Sequence, residues 1–113
     1  LAVLVADATT LKREYLNQNI AVGGGEPEVK ISLYLNESCP PGRDKTPVVL
    51  PAESGVIRFE AIYAPQVNKD EVQITAIMSD LHFVDPRNPE RSADLSGSLD
   101  FLYVRGSPAQ SFP

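Results

Sequence analysis

The sequence has one cysteine, one histidine and no tryptophan among 113 residues, and each scarcity removes a class of chemistry. Cys39 alone closes no intrachain disulfide and anchors no thiolate metal cluster. His82 alone, with no competent cysteine nucleophile, makes a hydrolase triad an unfavoured reading. Basic residues are also in deficit, since ten Lys and Arg against fifteen Asp and Glu leave a net charge of −5. The deficit is shared by both halves of the chain, so no basic patch tracks a phosphate backbone and no nucleic acid partner is expected. The longest unbroken apolar run, Leu1 to Ala6, falls far short of the ~20 residues of a spanning helix. No transmembrane segment is expected in this chain.

What is present is enough for a core. Leu, Ile, Val and Phe make up 32 of the 113 residues, a share that excludes wholesale disorder and fits one domain over 1–113. The ten prolines and seven glycines fall between a few clean apolar segments, the punctuation of short strands joined by turns. Ala6-Asp7-Ala8 has the small-x-small form of a signal-peptidase site, although the apolar stretch before it is short for a signal core.

Four segments alternate with a period of two, which puts one set of side chains on one face. From Glu28 to Asn36 the inward set is Val29, Ile31, Leu33 and Leu35; from Val56 to Ala64 it is Ile57, Phe59, Ala61 and Tyr63, bracketed by Gly55 and Pro65. From Glu71 to Val84, Val72, Ile74, Ala76 and Met78 share a face, then Leu81 and Phe83 change parity, which predicts a bulge near Ser79 and Asp80. From Ser98 to Arg105, Leu99, Phe101 and Tyr103 point inward. Phe59, Ile74, Leu33 and Phe101 are therefore expected to share one core. Asn68-Lys69-Asp70 predicts a hairpin between the second and third strands.

In the first 22 residues, Leu11, Tyr15, Leu16 and Ile20 recur at helical spacing. A helix over 10–20 is expected, capped by Thr9 or Thr10 and ended by Gly23 to Gly25, against the competing reading of a long strand returning through the glycines. Two long loops are expected, from Glu37 to Gly55, with room for a short edge strand at Val48-Val49-Leu50, and from Asp85 to Gly97. Residues 106–113 read as an exposed C-terminal tail.

The expected fold is mainly β, an antiparallel β-sandwich of immunoglobulin-like or transthyretin-like outline with an N-terminal helix packed on the sheet. The alternative is α+β, with a helix on one antiparallel sheet. No residue pattern points to a catalytic set, a cofactor or a metal. Asp80 and His82 share a face in a regular strand and suggest an oriented imidazole, but a polar pair at a strand end is ordinarily solvated. Asp94-Leu95-Ser96-Gly97-Ser98-Leu99-Asp100 places oxygen ligands at alternate positions without the acidic density or closing Glu of a calcium loop. Gly23-Gly24-Gly25 reads as a flexible turn. Arg43 and Lys45 near Cys39, and the sequon Asn36-Glu37-Ser38, complete the candidates.

The informative pattern is the outer face. Tyr34, Ile62, Ile77, Leu102 and Val104 all fall opposite the core set, so each strand places a large apolar residue on the second side. These five form the expected interaction face, covered by the N-terminal helix, a protein partner or a second copy in a homo-oligomer. The expected function is a non-enzymatic protein–protein interaction or structural accessory module, extracytoplasmic (periplasmic, surface or secreted), using a sheet face or edge. The alternative is a small-ligand or carbohydrate-binding β-sandwich domain.

Overall fold

The computed structural model describes residues 1–35 and 48–103. Aliphatic alternation builds β3 (Val29–Tyr34) as predicted, with Val29 and Ile31 buried and Tyr34 exposed. Beside it lies β1 (Ala2–Val5), antiparallel. The remaining strands are β2 (Ile20–Ala21), β4 (Val49–Ala61), β5 (Gln73–Asp85) and β6 (Asn88–Leu102). Together they form one antiparallel six-stranded sheet in the order β1-β3-β4-β5-β6, with β2 also pairing β4. One core cluster receives Val29 and Ile31 from β3, Leu50, Ile57 and Phe59 from β4, Ala76, Met78, Leu81 and Phe83 from β5, and Leu11 from the helical segment.

β4 is longer than its sequence suggests. The short strand expected at Val48-Val49-Leu50 begins at Val49 but is no edge, and it runs on through the rest of the expected loop, pairing at Val49, Leu50 and Pro51 with β3 and from Ala52 with β5. Its inward set changes parity twice, from Leu50 and Ala52 to Ile57 and Phe59, and then to Ile62 and Ala64 just beyond the strand. Register shifts at Ala52/Ser54, Ser54/Val56 and Phe59/Ala61 accompany these changes, because each unpaired residue turns the following side chains over. The predicted bulge in β5 is present: register shifts between Met78 and Leu81, and Asp80 adopts φ 54°.

The two irregular stretches lie against each other at Gly55. Its φ of 121° suits glycine, and a Cβ there would stand 2.7 Å from Leu81 Cα and 2.8 Å from the Asp80 carbonyl oxygen, closer than side chains approach backbone. Bulges increase local twist and bend a strand, so β4 and β5 turn together at this point.

The helical segment is shorter and earlier than expected. It comprises α1 (Ala8–Thr10) continued by a π-helical turn (Leu11–Tyr15). Its cap is Asp7, not Thr9 or Thr10: the carboxylate accepts from the backbone N–H groups of Thr9 (2.9 Å) and Thr10 (3.2 Å) and from the Thr10 hydroxyl (2.9 Å). It ends at Leu16, which is extended, and Asn17, at φ 61°, rather than at the glycines. Asn17 tolerates this left-handed conformation better than most residues, and its N–H donates to the Phe59 carbonyl. Leu11 enters the core, and Lys12 Nζ donates to the Ile62 carbonyl.

Five inward assignments are corrected. Ala61 and Tyr63 are only partly buried, their neighbours Ile62 and Ala64 taking the core positions after the register shift beyond Phe59. Val72 and Phe101 are exposed, the latter at 49%, because they lie where β5 begins and β6 ends, beyond the last core layer. Tyr103 is likewise exposed and stacks on Tyr63 with centroids 4.4 Å apart. The expected loop from Asp85 to Gly97 is mostly strand: a two-residue turn at Pro86 and Arg87 leads directly into β6. At this turn the buried Asp85 carboxylate accepts from the Arg87 N–H at 2.9 Å and lies 3.5 Å from the Arg91 guanidinium. Cys39, the Asn36 sequon, Val104 and the tail 106–113 lie outside the described residues.

Phe59→Ala should cost about 3–5 kcal/mol in denaturant melts because it removes a fully packed ring and leaves a cavity. Phe101→Ala should cost about 1 kcal/mol, since half of that ring is already in water. Equal losses would contradict the assigned burial. The Thr10 N–H and hydroxyl, followed by the Thr9 N–H, hold the Asp7 carboxyl below its ordinary value. A lowered folded value makes the cap's contribution complete above the unfolded carboxyl's pKa and lost as pH falls through the folded one. Melting temperature should therefore fall through that acid window more gently in Asp7→Asn than in the wild type; superimposable pH profiles would refute the charge-assisted cap.

Candidate functional site

His82 is paired, but not with Asp80. The bulge at Asp80 breaks the regular alternation, and the imidazole instead faces the neighbouring strand, its Nδ1 lying 2.7 Å from Asp94 Oδ1. Asp94 lies directly opposite His82 on β6, and Ser54 lies opposite it on β4. Sequence reasoning missed this Ser54-His82-Asp94 row because it joins three strands that only register brings together. The row contains a base and its orienting carboxylate, but no hydrogen bond joins Ser54 to His82 among the described residues. It lies on the polar side of the sheet, and neither groove described below is lined by these residues. The oxygen-bearing residues from Asp94 to Asp100, which resemble a calcium loop only in spacing, are strand residues: Ser96 Oγ accepts from the Asp80 N–H at 2.9 Å, and Asp100 accepts from Gln73 Nε2 at 2.9 Å. Among the described residues no group of three or more potential metal-ligating His, Cys, Asp or Glu residues occurs.

Of the five outer-face residues, the four that are described, Tyr34, Ile62, Ile77 and Leu102, do not come together. Ile62 is 5% exposed and belongs to the core, because the register shift after Phe59 reverses its parity. Ile77 is flanked in register by Arg58 on β4 and Ser98 on β6, so its surroundings are polar. Leu102 and Tyr34 are both exposed, but Leu102 pairs with Gln73 at the start of β5, whereas Tyr34 pairs with Val49 at the start of β4. β4 and β5 run antiparallel, so these two residues lie towards opposite ends of the sheet.

Among the shallow grooves of the described residues, two adjoin residues considered above. One, of about 570 Å³, is lined by Gly23, Gly24, Lys30, Ser32, Pro51 and Glu53 among others. Its described lining contains no aromatic ring on which a sugar would stack. The other runs past Tyr34, Leu35, Val48 and Arg91.

The most distinctive surface is the outer edge of β6. Among the described residues this 15-residue strand pairs with β5 alone. The Tyr103 N–H donates to the Val72 carbonyl at 2.6 Å, which fixes the direction of the backbone groups. In an antiparallel ladder, alternate residues turn both N–H and C=O to one neighbour. Phe101, Leu99 and Gly97 therefore bond β5, and Leu102, Asp100 and Ser98 turn theirs to the open edge, over a stretch without a register shift. The same stretch carries half-buried Leu99 and exposed Phe101 on the core side, with Tyr103 and Tyr63 stacked at its end. The alternation of Ala93, Leu95 and Leu99 signals this strand in the sequence, but Gly97 interrupts it and the intervening Ser and Asp residues read as turn chemistry.

His82→Ala should lower stability by less than about 1 kcal/mol, because the His82–Asp94 pair is well exposed and its attraction is screened. A loss of several kcal/mol in urea melts would show that the row is a structural tie. The chain matches no protein-family model, no curated protein and no solved structure.

Proposed function

We propose that the chain is a non-enzymatic protein–protein interaction or structural accessory module that works through a sheet edge, and that this edge is β6. The observation that carries the reading is the length of β6 that no other described strand pairs on one side. A strand of 15 residues presents about 50 Å of backbone, and such an edge pairs readily with another extended segment. The other terminal strand, β1, has four residues. Natural proteins blunt long edges with proline, charge or bulges. β6 has a proline only at its second position, and its register shifts against β5 lie outside the stretch from Gly97 to Leu102.

The proposal extends to a sandwich-like wrapping of the sheet about its core, supported by the entry of side chains from β1 and β3 as well as from β5 and β6 into one cluster. It extends also to an extracytoplasmic setting, supported by the strand-rich build alone. Small-ligand binding is the second reading, favoured by the groove at Gly23, Lys30 and Glu53.

A proline at position 98 removes an N–H that faces the open edge and leaves the β5 ladder intact, as edge strands allow. Proteins retained from an extract of the source cells by the wild-type chain should be lost with Ser98→Pro, while far-UV circular dichroism stays the same. Identical retention by the two folded chains would reject β6 as the contact element.

A further inference from the structure

The open stretch of β6 differs on its two sides, and the difference specifies what fits beside it. On the core side are Leu99, half-buried, and Phe101, 49% exposed. On the other side are Ser98, Asp100 and Leu102, with Ser96 and Asp94 further along. Asp94 is matched by His82, whereas among the described residues Asp100 accepts from neutral donors, Gln73 and Thr75. Two arginines on or beside these strands are engaged elsewhere: Arg58 lies 3.3 Å from Glu60, and Arg91, at the far end of β6, lies against Asp85. An added strand inherits the same alternation, so its residues fall in turn on the apolar and acidic sides.

We propose that the β6 edge from Ser98 to Leu102 takes an extended segment of another protein in which apolar residues, covering Leu99 and Phe101, alternate with lysine or arginine facing Asp100. This rests on the reading of β6 as the contact edge and adds the chemistry of its partner. A second copy of this chain fits less well. Antiparallel self-pairing sets residues of the same face opposite one another. A two-fold axis at Asp100 opposes two carboxylates and one at Ser98 sets Leu102 against Asp94 of the copy, whereas an axis at Leu99 opposes no like charges, so it is chiefly the charge each chain carries that disfavours a copy. Directly opposed like charges destabilise a strand pair, and each chain carries a net charge of −5.

The test titrates the full chain with two short peptides, one alternating valine with lysine and the other valine with glutamate. Amide exchange is read at Ser98, Asp100 and Leu102. The lysine peptide should slow exchange at these three amides and bind about fivefold or more tightly than the glutamate peptide. Asp100→Asn should weaken it about two- to fivefold, the range of one cross-strand charge pair. Ser98→Pro should abolish binding, and Leu102→Pro, nearer the strand end, serves the same purpose if Ser98→Pro does not fold. Equal binding of both peptides, lost in the proline variant, would overturn the charge assignment and leave the edge reading standing. Binding of neither peptide would overturn the proposal, with the edge reading then judged by the extract comparison. Binding unaffected by the proline variants would overturn both. Concentration-dependent self-association that disappears in Ser98→Pro would assign the edge to a second copy and also overturn the proposal.

Discussion

The close passage of the Gly55 backbone beside Asp80 and Leu81 is the constraint on which the arrangement depends. It lets the irregular parts of β4 and β5 lie side by side, so both strands reverse the parity of their inward side chains at nearly the same level. Without a matched reversal, one strand would send Ile57 and Phe59 into the core while the other turned Leu81 and Phe83 out of it. The Val22 N–H donates to the Gly55 carbonyl at 3.1 Å, so the N-terminal segment is anchored at the same point. Leu11, Ile20 and Val22 then fill the core beside the bend.

From that bend follows the division of the surface. The side of β4, β5 and β6 turned from the core carries Arg58, Glu60, His82, Asp94 and Asp100 in ion pairs or hydrogen bonds, although Arg58 Nε is buried without a hydrogen-bond partner among the described residues. While Leu1, Leu4, Tyr34 and Val67 lie elsewhere, half of the exposed large apolar residues among those described, Val72, Phe101, Leu102 and Tyr103, gather where the sheet outruns its core. The unpaired backbone of β6 coincides with this exposure. Backbone pairing supplies affinity in such contacts, and alternate side chains supply selectivity.

Local periodicity made β3, the second half of β4 and the bulge in β5 legible, because in each case aliphatic residues mark every second position. The first half of β4 was hidden by Pro51 and Gly55, which ordinarily end strands but here sit at the end of the β3 pairing and at a bulge. Ile62 was misplaced because a register shift two residues earlier leaves no trace in the residues themselves. The Ser54-His82-Asp94 row and the open edge are products of pairing between distant segments, and no window of sequence contains them. Asp7 was overlooked as a cap although Asp is among the best caps, since two adjacent threonines offered the same chemistry.

The tight turn at Pro86 and Arg87 has a consequence for how the chain is made. During synthesis β5 emerges before β6, and until β6 follows, the side of β5 that bonds Leu99 and Phe101 has no partner. A two-residue connection brings the missing strand back at once, and hairpin closure takes only about 1–10 μs, far faster than residues are added at roughly 5–20 per second. The interval of danger is therefore set by the ribosome rather than by the search for a partner strand. Asp85, buried at the turn with the Arg87 amide and Arg91 beside it, fixes where the chain reverses and so protects the nascent sheet from pairing with its neighbours.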